Sequence, residues 1–142
     1  MKVLGAFEIV SFPELGVKNT IAKIDSGAYS GAVHATGVVE KKNKKGEDVL
    51  VFHPFGNPVI RVRTKQYERK RVRSSSGHLE ERFVVRTTVV IDNQTYNIEI
   101  SLTDRGTMMK GVLIGRKFLR QYHFFVDVRK GKQYRYAVKE KR

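Results

Sequence analysis

The sequence predicts a single all-β domain, a small closed β-barrel with one short helix. Most apolar residues fall in short segments rich in β-branched and aromatic side chains, which is typical of strands. Helical patterning is confined to residues 116–121. A chain of 142 residues with neither a repeat nor a low-complexity linker is long enough for one core and too short for two lobes. We therefore expect residues 1–142 to form one domain.

The first predicted strand alternates apolar and polar residues from Ile21 and ends at Asp25. In residues 95–102 the even-numbered positions from 96 are apolar and the odd-numbered ones from 97 are polar, which marks a half-buried strand. Residues 43–46 and 92–94 carry the turn residues of hairpins. The remaining strands are predicted at residues 49–52, 83–91, 124–128 and 134–138, the last of them within a basic terminal segment, 129–142.

An aspartate stands where the first strand runs into a turn, Asp25-Ser26-Gly27-Ala28. A strand end holds a carboxylate rigidly, and Ser26 can donate a hydroxyl hydrogen bond across the site. Gly27 is expected to supply the φ freedom for a sharp bend and room for a second copy. Aspartic peptidases present their carboxylates in this way, and two of them share a proton. The alternative is an ordinary surface turn, because Asp, Ser and Gly are common turn residues.

A later segment, Leu113-Ile114-Gly115, is an apolar strand that ends in glycine just before the predicted helix. It is similar to the segment that partners the Asp-(Ser/Thr)-Gly-Ala turn of retropepsins, in order and in separation. This similarity favours the catalytic interpretation of the turn.

Taken together, the chain resembles the bacterial retropepsin-like proteins known as ATP-dependent zinc proteases, a RimB-like family associated with RimK-type ATP-grasp glutamate ligases. The resemblance spans residues 4–128. The family more often has Thr after the aspartate and Pro before the apolar-apolar-Gly strand, where this chain has Ser26 and Gly111. The matching positions are residues 22–28 and 33–35, residues 72–77 with Glu81 and Arg82, and Asp104-Arg105 with Met108 and residues 113–116.

The resemblance implies an aspartic peptidase, with a glutamate-rich tail as a candidate substrate. One chain supplies a single Asp25, so the dyad requires a symmetric homodimer, and a strictly monomeric active enzyme would contradict it. Arg105 and Arg116 are candidates for binding substrate carboxylates, since a guanidinium binds a carboxylate in a bidentate manner. For each, the alternative is an ion pair with Asp104 or Asp127. Asp104 either belongs to the site or orients Arg105.

Ala28 lacks the hydroxyl that could stabilise an ionised dyad, so we expect a pH optimum nearer neutrality than in acid proteases. A profile that peaks below about pH 3.5 would count against this expectation.

No cofactor and no metal site are predicted. The chain has neither a His-Glu-x-x-His motif nor a close pair of metal ligands among its histidines, although His34 follows the turn closely enough to approach Asp25. A zinc-dependent protease remains an alternative. The sequence also lacks a Gly-Lys-Ser/Thr phosphate loop, so any use of ATP would belong to a partner.

The chain carries 28 Lys and Arg against 14 Asp and Glu, a net charge of +14 that attracts polyanions. The densest part is the 61–73 run, where one glutamate hardly offsets seven basic residues. An acidic polypeptide is one candidate partner. RNA or the ribosome is another, although Tyr67 is the run's one aromatic residue and no RNA-binding motif is present. A non-catalytic basic module that binds RNA is therefore the alternative function.

The sequence contains no cysteine, so no disulfide or thiolate ligand is available. The first residues reach the charged Glu8 after a short apolar run, and no window approaches the roughly 20 apolar residues of a membrane span. We expect a cytoplasmic protein without membrane contact.

Overall fold

The computed structural model describes residues 2–73, 77–104, 106 and 110–136. These residues form a mostly β fold with one short helix, α1 (Arg116–Gln121), as the sequence predicted. Two 3-10 turns occupy Pro13–Leu15 and Lys132–Tyr134. The strands, in chain order, are β1 (Lys2–Gly5), β2 (Phe7–Phe12), β3 (Val17–Ile24), β4 (Gly31–Lys42), β5 (Asp48–Pro54), β6 (Val62–Thr64), β7 (Tyr67–Arg73), β8 (Leu79–Ile91), β9 (Gln94–Thr103), β10 (Val112–Ile114) and β11 (Phe124–Asp127).

Six strands pair in a closed cycle. β10 pairs with β3, β3 with β2, β2 with β8, β8 with β9 and β9 with β4, and β4 returns to β10. β5 and β6 extend this sheet beyond β4, and β7 pairs with β8. β1 and β11 form a separate two-stranded parallel sheet.

The core lies between the inner faces of these strands and contains Phe12, Leu50, Phe52 and Ile100, each 0% exposed. Burying a side chain of this size contributes about 1.5–3 kcal/mol relative to leaving it in water. The core extends to the ends of β3 and β10, where Ile114 lies beside Ile24 in a parallel register. The turn after β3 therefore begins next to buried, packed side chains.

Most predicted elements are confirmed. Residues 49–52, 83–91 and 95–102 lie inside β5, β8 and β9, and the predicted helix has the bounds of α1. The Asn43 side-chain oxygen accepts the N–H groups of Lys45 and Glu47, both at 2.9 Å, which closes the β4–β5 hairpin. Asp92 and Asn93 have φ of 51° and 63°, as a two-residue hairpin requires.

The strand predicted at residues 134–138 is wrong over its described part. Gly131 turns the chain with φ of 77°, and Tyr134 N–H then donates to the Gly131 carbonyl in a 3-10 turn. Residues 134–136 therefore pair with no described strand, and Tyr136 is exposed. The basic terminal segment is a turn rather than a strand as far as residue 136, and residues 137–142 lie outside the described part.

Across the described ranges, no helix has both the length and the apolar character needed to cross a membrane.

Candidate active site

Backbone hydrogen bonds hold the turn that follows β3, residues 25–30, which we call the catalytic turn after the role that the sequence predicts for it. Asp25 N–H donates to the Ile114 carbonyl at 2.8 Å, and Ile24 N–H donates to the Ala6 carbonyl at 2.9 Å. Ala28 N–H donates to the Asp25 carbonyl at 3.2 Å and closes the turn. The aspartate is therefore fixed by its main chain at the end of two parallel strands.

The Asp25 carboxylate lies at a half-buried position next to the exposed Ser26 and Gly27. Its Oδ1 accepts the Gly27 N–H at 2.9 Å. The predicted role of Gly27 in supplying unusual φ is wrong, since its φ is not in the positive range. A Cβ at this position would lie 3.1 Å from Asp25 Oδ1, so a side chain here would crowd the carboxylate.

The N-terminal end of α1 contacts the other side of the catalytic turn. Arg116 N–H donates to the Ala28 carbonyl at 2.8 Å, and Lys117 N–H donates to the Tyr29 carbonyl at 3.0 Å. The Arg116 side chain donates from Nη1 to the Gly27 carbonyl at 3.0 Å, and its guanidinium lies 5.4 Å from the Tyr29 ring centroid. Arg116 thus holds the turn at three residues.

No ion pair joins Arg116 to Asp104 or Asp127 in the part of the chain described. Asp127 instead accepts two hydrogen bonds from the Arg129 side chain, at 3.0 and 3.1 Å. These bonds, together with the Arg129 N–H, lower the pKa of Asp127 to about 2. The structural pairing considered for Arg116 and Asp127 is therefore wrong.

Two glycines permit this close packing. A Cβ on Gly115 would lie 2.7 Å from the backbone of Tyr29 and Ser30, and one on Gly31 would lie 2.5 Å from the Leu113 carbonyl. The structure therefore brings the Leu113-Ile114-Gly115 segment against the turn, as the sequence predicted. Sequence reasoning missed the contacts of Tyr29 and Lys117, although the distant Gly115 was a signal that two backbones meet here.

The structure also gives a reason for Gly111, which stands where the family more often has proline. A Cβ there would overlap the ring of Phe55, so a proline does not fit while Phe55 keeps its place. The Gly111 carbonyl accepts the His34 N–H at 2.8 Å.

Asp104 lies beside His34 rather than beside a described arginine. The distance from Asp104 Oδ1 to His34 Nδ1 is 3.5 Å, and the same oxygen accepts the Gly106 N–H at 2.9 Å. Arg105 and Met108 lie outside the described residues, so the predicted role of Arg105 stays a prediction. His53 Nδ1 lies 2.9 Å from the Ile60 carbonyl.

A zinc site does not fit these residues. Within the described ranges, no group of three or more His, Cys, Asp or Glu side chains is arranged to hold a metal ion. His34 and Asp104 supply two donor groups, fewer than the three protein ligands of a catalytic zinc site.

A groove of about 570 Å³ opens beside the catalytic turn. It runs from Ser26 and Arg116 along α1 to β11. Phe125 on β11 lines it and is 61% exposed, which is unusual for a phenylalanine. Leu119, Arg120 and His123 complete the lining on the α1 side.

Acidic side chains outside the 61–73 run pair with part of it. Arg69 contacts Glu40 at 2.6 Å and Glu81 at 3.6 Å, and Lys65 contacts Glu47 at 3.3 Å. Glutamates elsewhere in the chain therefore offset some of the charge that the run's own glutamate does not. We call β7 and the paired part of β8, residues 67–73 and 79–85, the basic hairpin.

Side-chain hydrogen bonds and ion pairs connect both faces of the basic hairpin to the rest of the fold. On one face, the Tyr67 hydroxyl donates to Glu40 at 2.5 Å, and burial together with this bond raises the pKa of Tyr67 to about 12. On the other, Glu99 accepts Lys117 at 2.7 Å and Lys70 at 3.2 Å. The hydrogen bond from Lys117 is the main reason that the pKa of Glu99 lies below its ordinary value.

The fold and the catalytic turn define a retropepsin-like protein. The chain belongs to the RimB-like family, described as retropepsin-like aspartic endopeptidase RimB, whose model matches residues 3–135. Among solved structures, a Legionella pneumophila protein of unknown function (DUF785) superposes with a TM-score of 0.70. It is 24% identical, and the match covers 90% of this chain and 94% of that one, which supports the fold.

Curated relatives of the chain are named as glutamate ligases. A probable alpha-L-glutamate ligase of Desulfotalea psychrophila is 33% identical over 121 residues, and one of Shewanella halifaxensis is 32% identical over 120. These matches cover 82% and 81% of this chain. The chain spans 26% of the length of each of these relatives.

Proposed function

We propose that the protein is an aspartic peptidase in which Asp25 of two copies forms the catalytic dyad. The observation that carries the proposal is the position of Asp25. Its main-chain N–H donates a hydrogen bond to the Ile114 carbonyl, and its carboxylate lies beside the exposed Ser26 and Gly27. The closed cycle of strand pairings supports a retropepsin-like barrel beneath this turn. A two-fold axis through the turn brings the second carboxylate from the partner copy.

The chemistry follows from two carboxyl groups that share one proton. The ionised carboxylate removes a proton from water, and the oxygen of that water bonds to the peptide carbonyl carbon. The protonated carboxyl group gives its proton to the carbonyl oxygen, which forms a neutral tetrahedral diol. Proton transfer to the nitrogen and cleavage of the C–N bond then release an amine and a carboxylic acid. Water is the one co-reactant.

The groove beside the turn is our candidate surface for the second copy. Ser26 and Arg116 belong both to this groove and to the catalytic turn, so a partner seated there would lie next to Asp25. The exposed Phe125 ring offers an apolar contact in the lining of the groove, and β11, which carries this ring, pairs with β1. Burial of such a ring is worth about 1.5–3 kcal/mol.

For the substrate, we propose a protein with a glutamate-rich tail. The net charge of +14 favours acidic substrates, and a guanidinium close to the turn suits a carboxylate. Arg116 donates from Nη1 to the Gly27 carbonyl. Its remaining N–H groups are candidates to bind a substrate carboxylate. The names of the ligase relatives support glutamate as the amino acid concerned.

Cleavage of a tailed protein tests the proposal. The wild type and Asp25→Asn are incubated with one carrier protein that bears a C-terminal polyglutamate or polyglutamine tail, with and without a chelator. We expect cleavage of the polyglutamate carrier by the wild type alone, unchanged by chelator. Cleavage that persists in Asp25→Asn and stops with chelator would overturn the aspartic mechanism.

The dimer has its own test. Sedimentation of the wild type, Phe125→Asp and Val59→Asp separates the groove from general surface effects, because Val59 is 88% exposed and far from the turn in sequence. We expect Phe125→Asp to be monomeric and inactive, and Val59→Asp to match the wild type. A monomeric Phe125→Asp with full activity would contradict the shared dyad.

The alternative of a basic module for RNA or the ribosome has weaker support. Tyr67, the aromatic residue of the 61–73 run, is hydrogen-bonded to Glu40 and lies edge-on to Phe83 at 5.9 Å between ring centroids. It is therefore engaged rather than open for stacking on a base. Tight binding of single-stranded RNA by a protein without peptidase activity would favour this alternative.

A further inference from the structure

Two cavities meet beside the 3-10 turn that joins β2 to β3. The larger has a volume of about 500 Å³ and lies between β8, β9 and α1, and the smaller has about 170 Å³ and is lined by parts of β5 and β6. The larger cavity has a size typical of small-molecule sites, which measure roughly 300–1,000 Å³. Both cavities are lined by the same four residues, which we call the junction: Glu14, Gln66, Arg86 and Thr87.

Glu14 brings a negative charge to the junction. Its Oε1 accepts the Thr87 hydroxyl at 2.8 Å and the Thr88 hydroxyl at 3.3 Å. None of the ion pairs in the described part of the chain includes Glu14, although the protein has a net charge of +14. The two hydroxyls therefore hold the carboxylate in place without neutralising it, and a ligand ammonium group would supply the missing opposite charge.

Arg86 brings a positive charge to the same junction. Its Nη2 donates to the Gln66 side-chain oxygen at 3.2 Å, and its Nη1 donates to Glu68 at 3.4 Å. The side chains of Arg86 and Glu68 are 46% and 47% exposed, and exposed pairs of this kind are weak, so a ligand carboxylate can share the guanidinium. Arg86 and Glu14 are each bonded to other groups and form no ion pair with each other, so both charges are in place before a ligand arrives.

The smaller cavity is apolar beyond the junction. Its apolar lining consists of Leu15, Phe52, Val62 and Val85. Leu15, Phe52 and Val85 are 3% exposed or less, so they belong to the core. An apolar group that enters this cavity leaves water for the edge of the hydrophobic core, which is favourable. The junction thus combines an anion, a cation and an apolar recess.

We propose that the junction binds a free α-amino acid with an apolar side chain, such as leucine. The ammonium group bonds to Glu14, the carboxylate bonds to Arg86, and the side chain occupies the smaller cavity. A free amino acid of this kind carries both charges and has no net charge, so the basic protein does not repel it as it would repel a simple amine.

This amino-acid site is a neighbour of the candidate active site and is distinct from it. Asp25 lines neither cavity. The larger cavity reaches the catalytic turn at Ser30 and is also lined by Lys117, whose main-chain N–H donates to the Tyr29 carbonyl at 3.0 Å. The inference does not rest on the proposed function. We expect Asp25→Asn to bind leucine as the wild type does, and failed cleavage with intact leucine binding would count against the peptidase alone.

The first experiment titrates the isotope-labelled full chain with leucine and follows the amide signals of Gln66 and Thr87 by NMR. Three analogues each lack one recognised group: isocaproate lacks the ammonium, leucinamide lacks the carboxylate and glycine lacks the side chain. We expect each to bind at least about tenfold more weakly than leucine. Leucine that produces no saturable shift would overturn the proposal. Equal binding of leucinamide would also overturn it, because the site would then fit the amino terminus of a peptide.

The role of Glu14 is tested with a pair of variants matched in charge. Glu14→Gln keeps an acceptor for Thr87 and removes the negative charge, and we expect at least about a tenfold loss of leucine binding. Asp92→Asn removes an exposed acid from the β8–β9 turn, where a φ of 51° suits asparagine, and should change binding by less than about twofold. Equal losses in the two variants would overturn the assignment of the ammonium group to Glu14.

The place of the side chain is tested by filling the smaller cavity. Val62→Phe adds an aromatic ring to its lining, and we expect leucine binding to be abolished. Val59→Phe makes the same change at a position that is 88% exposed and should bind leucine normally. Urea unfolding verifies that both variants are folded, and the glycine titration tests the same contact without altering the protein. Leucine binding that survives in folded Val62→Phe would overturn the proposal.

Discussion

The catalytic turn and the basic hairpin are held in place by different forces. At the turn, main-chain groups of Asp25, Ala28 and Tyr29 bond to groups of β10 and α1. At the hairpin, side chains of β7 reach Glu40 and Glu99 on other strands. Backbone bonds between neutral groups do not depend on salt or on side-chain protonation, whereas exposed ion pairs depend on both. The difference predicts a rigid turn around Asp25 and a basic hairpin whose attachment varies with salt and pH.

The largest expected effect comes from crowding the turn. Gly115→Ala places a methyl group 2.7 Å from the backbone of Tyr29 and Ser30, and we expect it to cost about 1–3 kcal/mol of the free energy of unfolding. Amide exchange at Lys117 should accelerate, because its bond to the Tyr29 carbonyl is displaced. Gly46→Ala is the control, since no atom lies within 4 Å of the added Cβ and only its φ of 79° is strained. Unchanged exchange at Lys117 in Gly115→Ala would refute this account.

Removing the Arg116 side chain from the turn should have the next largest effect. Arg116→Gln loses the bond from Nη1 to the Gly27 carbonyl and the contact with Tyr29, and we expect a loss of about 1–2 kcal/mol in urea unfolding. Arg120→Gln, on the exposed side of the same helix, should change stability by less than about 0.5 kcal/mol. A larger cost for Arg120→Gln than for Arg116→Gln would be inconsistent with the contacts described.

Weakening the hairpin attachment should cost less and should depend on salt. Glu99→Gln breaks the bridge between Lys117 and Lys70, and we expect a loss of about 0.5–1 kcal/mol at low ionic strength. In 1 M NaCl, where the Debye length is about 3 Å, most of this difference should disappear. The loss in Arg116→Gln should remain, because its acceptor is a neutral carbonyl. A salt-independent effect of Glu99→Gln would argue against an ion-pair attachment.

The smallest effect is a pH dependence that separates the two regions. The pKa of Glu99 is lowered from its ordinary value of 4.5, so its stabilisation is fully present above that pH and is lost as pH falls through the lower folded-state value. The difference in unfolding free energy between the wild type and Glu99→Gln should therefore be constant from about pH 7 to about pH 5 and shrink below that. For Arg116→Gln the difference in unfolding free energy should stay constant, because the acceptor that Arg116 loses is a neutral main-chain carbonyl.

Local sequence patterns predicted the parts of the fold and of the candidate site that are stabilised by local interactions. The end of β3 and the segment at Leu113 were recognisable because glycines and apolar alternation are local signals. The hairpin turns at 43–46 and 92–94 were recognisable for the same reason. The end of β3 and the Leu113 segment hold the catalytic turn, so the main chain of the candidate site was predicted.

β7 shows why the rest was not foreseen. Its sequence from Tyr67 to Arg73 is mostly charged and has Val72 as its one β-branched residue, so it carries almost no strand signal. Its strand conformation comes from pairing with β8 and from acids far away in sequence, such as Glu40 and Glu99. Over its described residues, 134–136, the predicted strand failed for the opposite reason, since the alternation was present and no described strand pairs with it. Pairing partners are a property of the tertiary fold, which local patterns do not contain.

The parallel pairing of β1 with β11 determines how the molecule bears mechanical load. Lys2 lies beside Phe124 and Gly5 beside Asp127, so the strand nearest the amino end runs alongside the last strand in the same direction. A pull that separates Lys2 from Asp127 therefore drags the two strands past each other and strains all their hydrogen bonds together, rather than opening them one by one. A force applied before β1 and after β11 must therefore overcome that shear before it reaches the core.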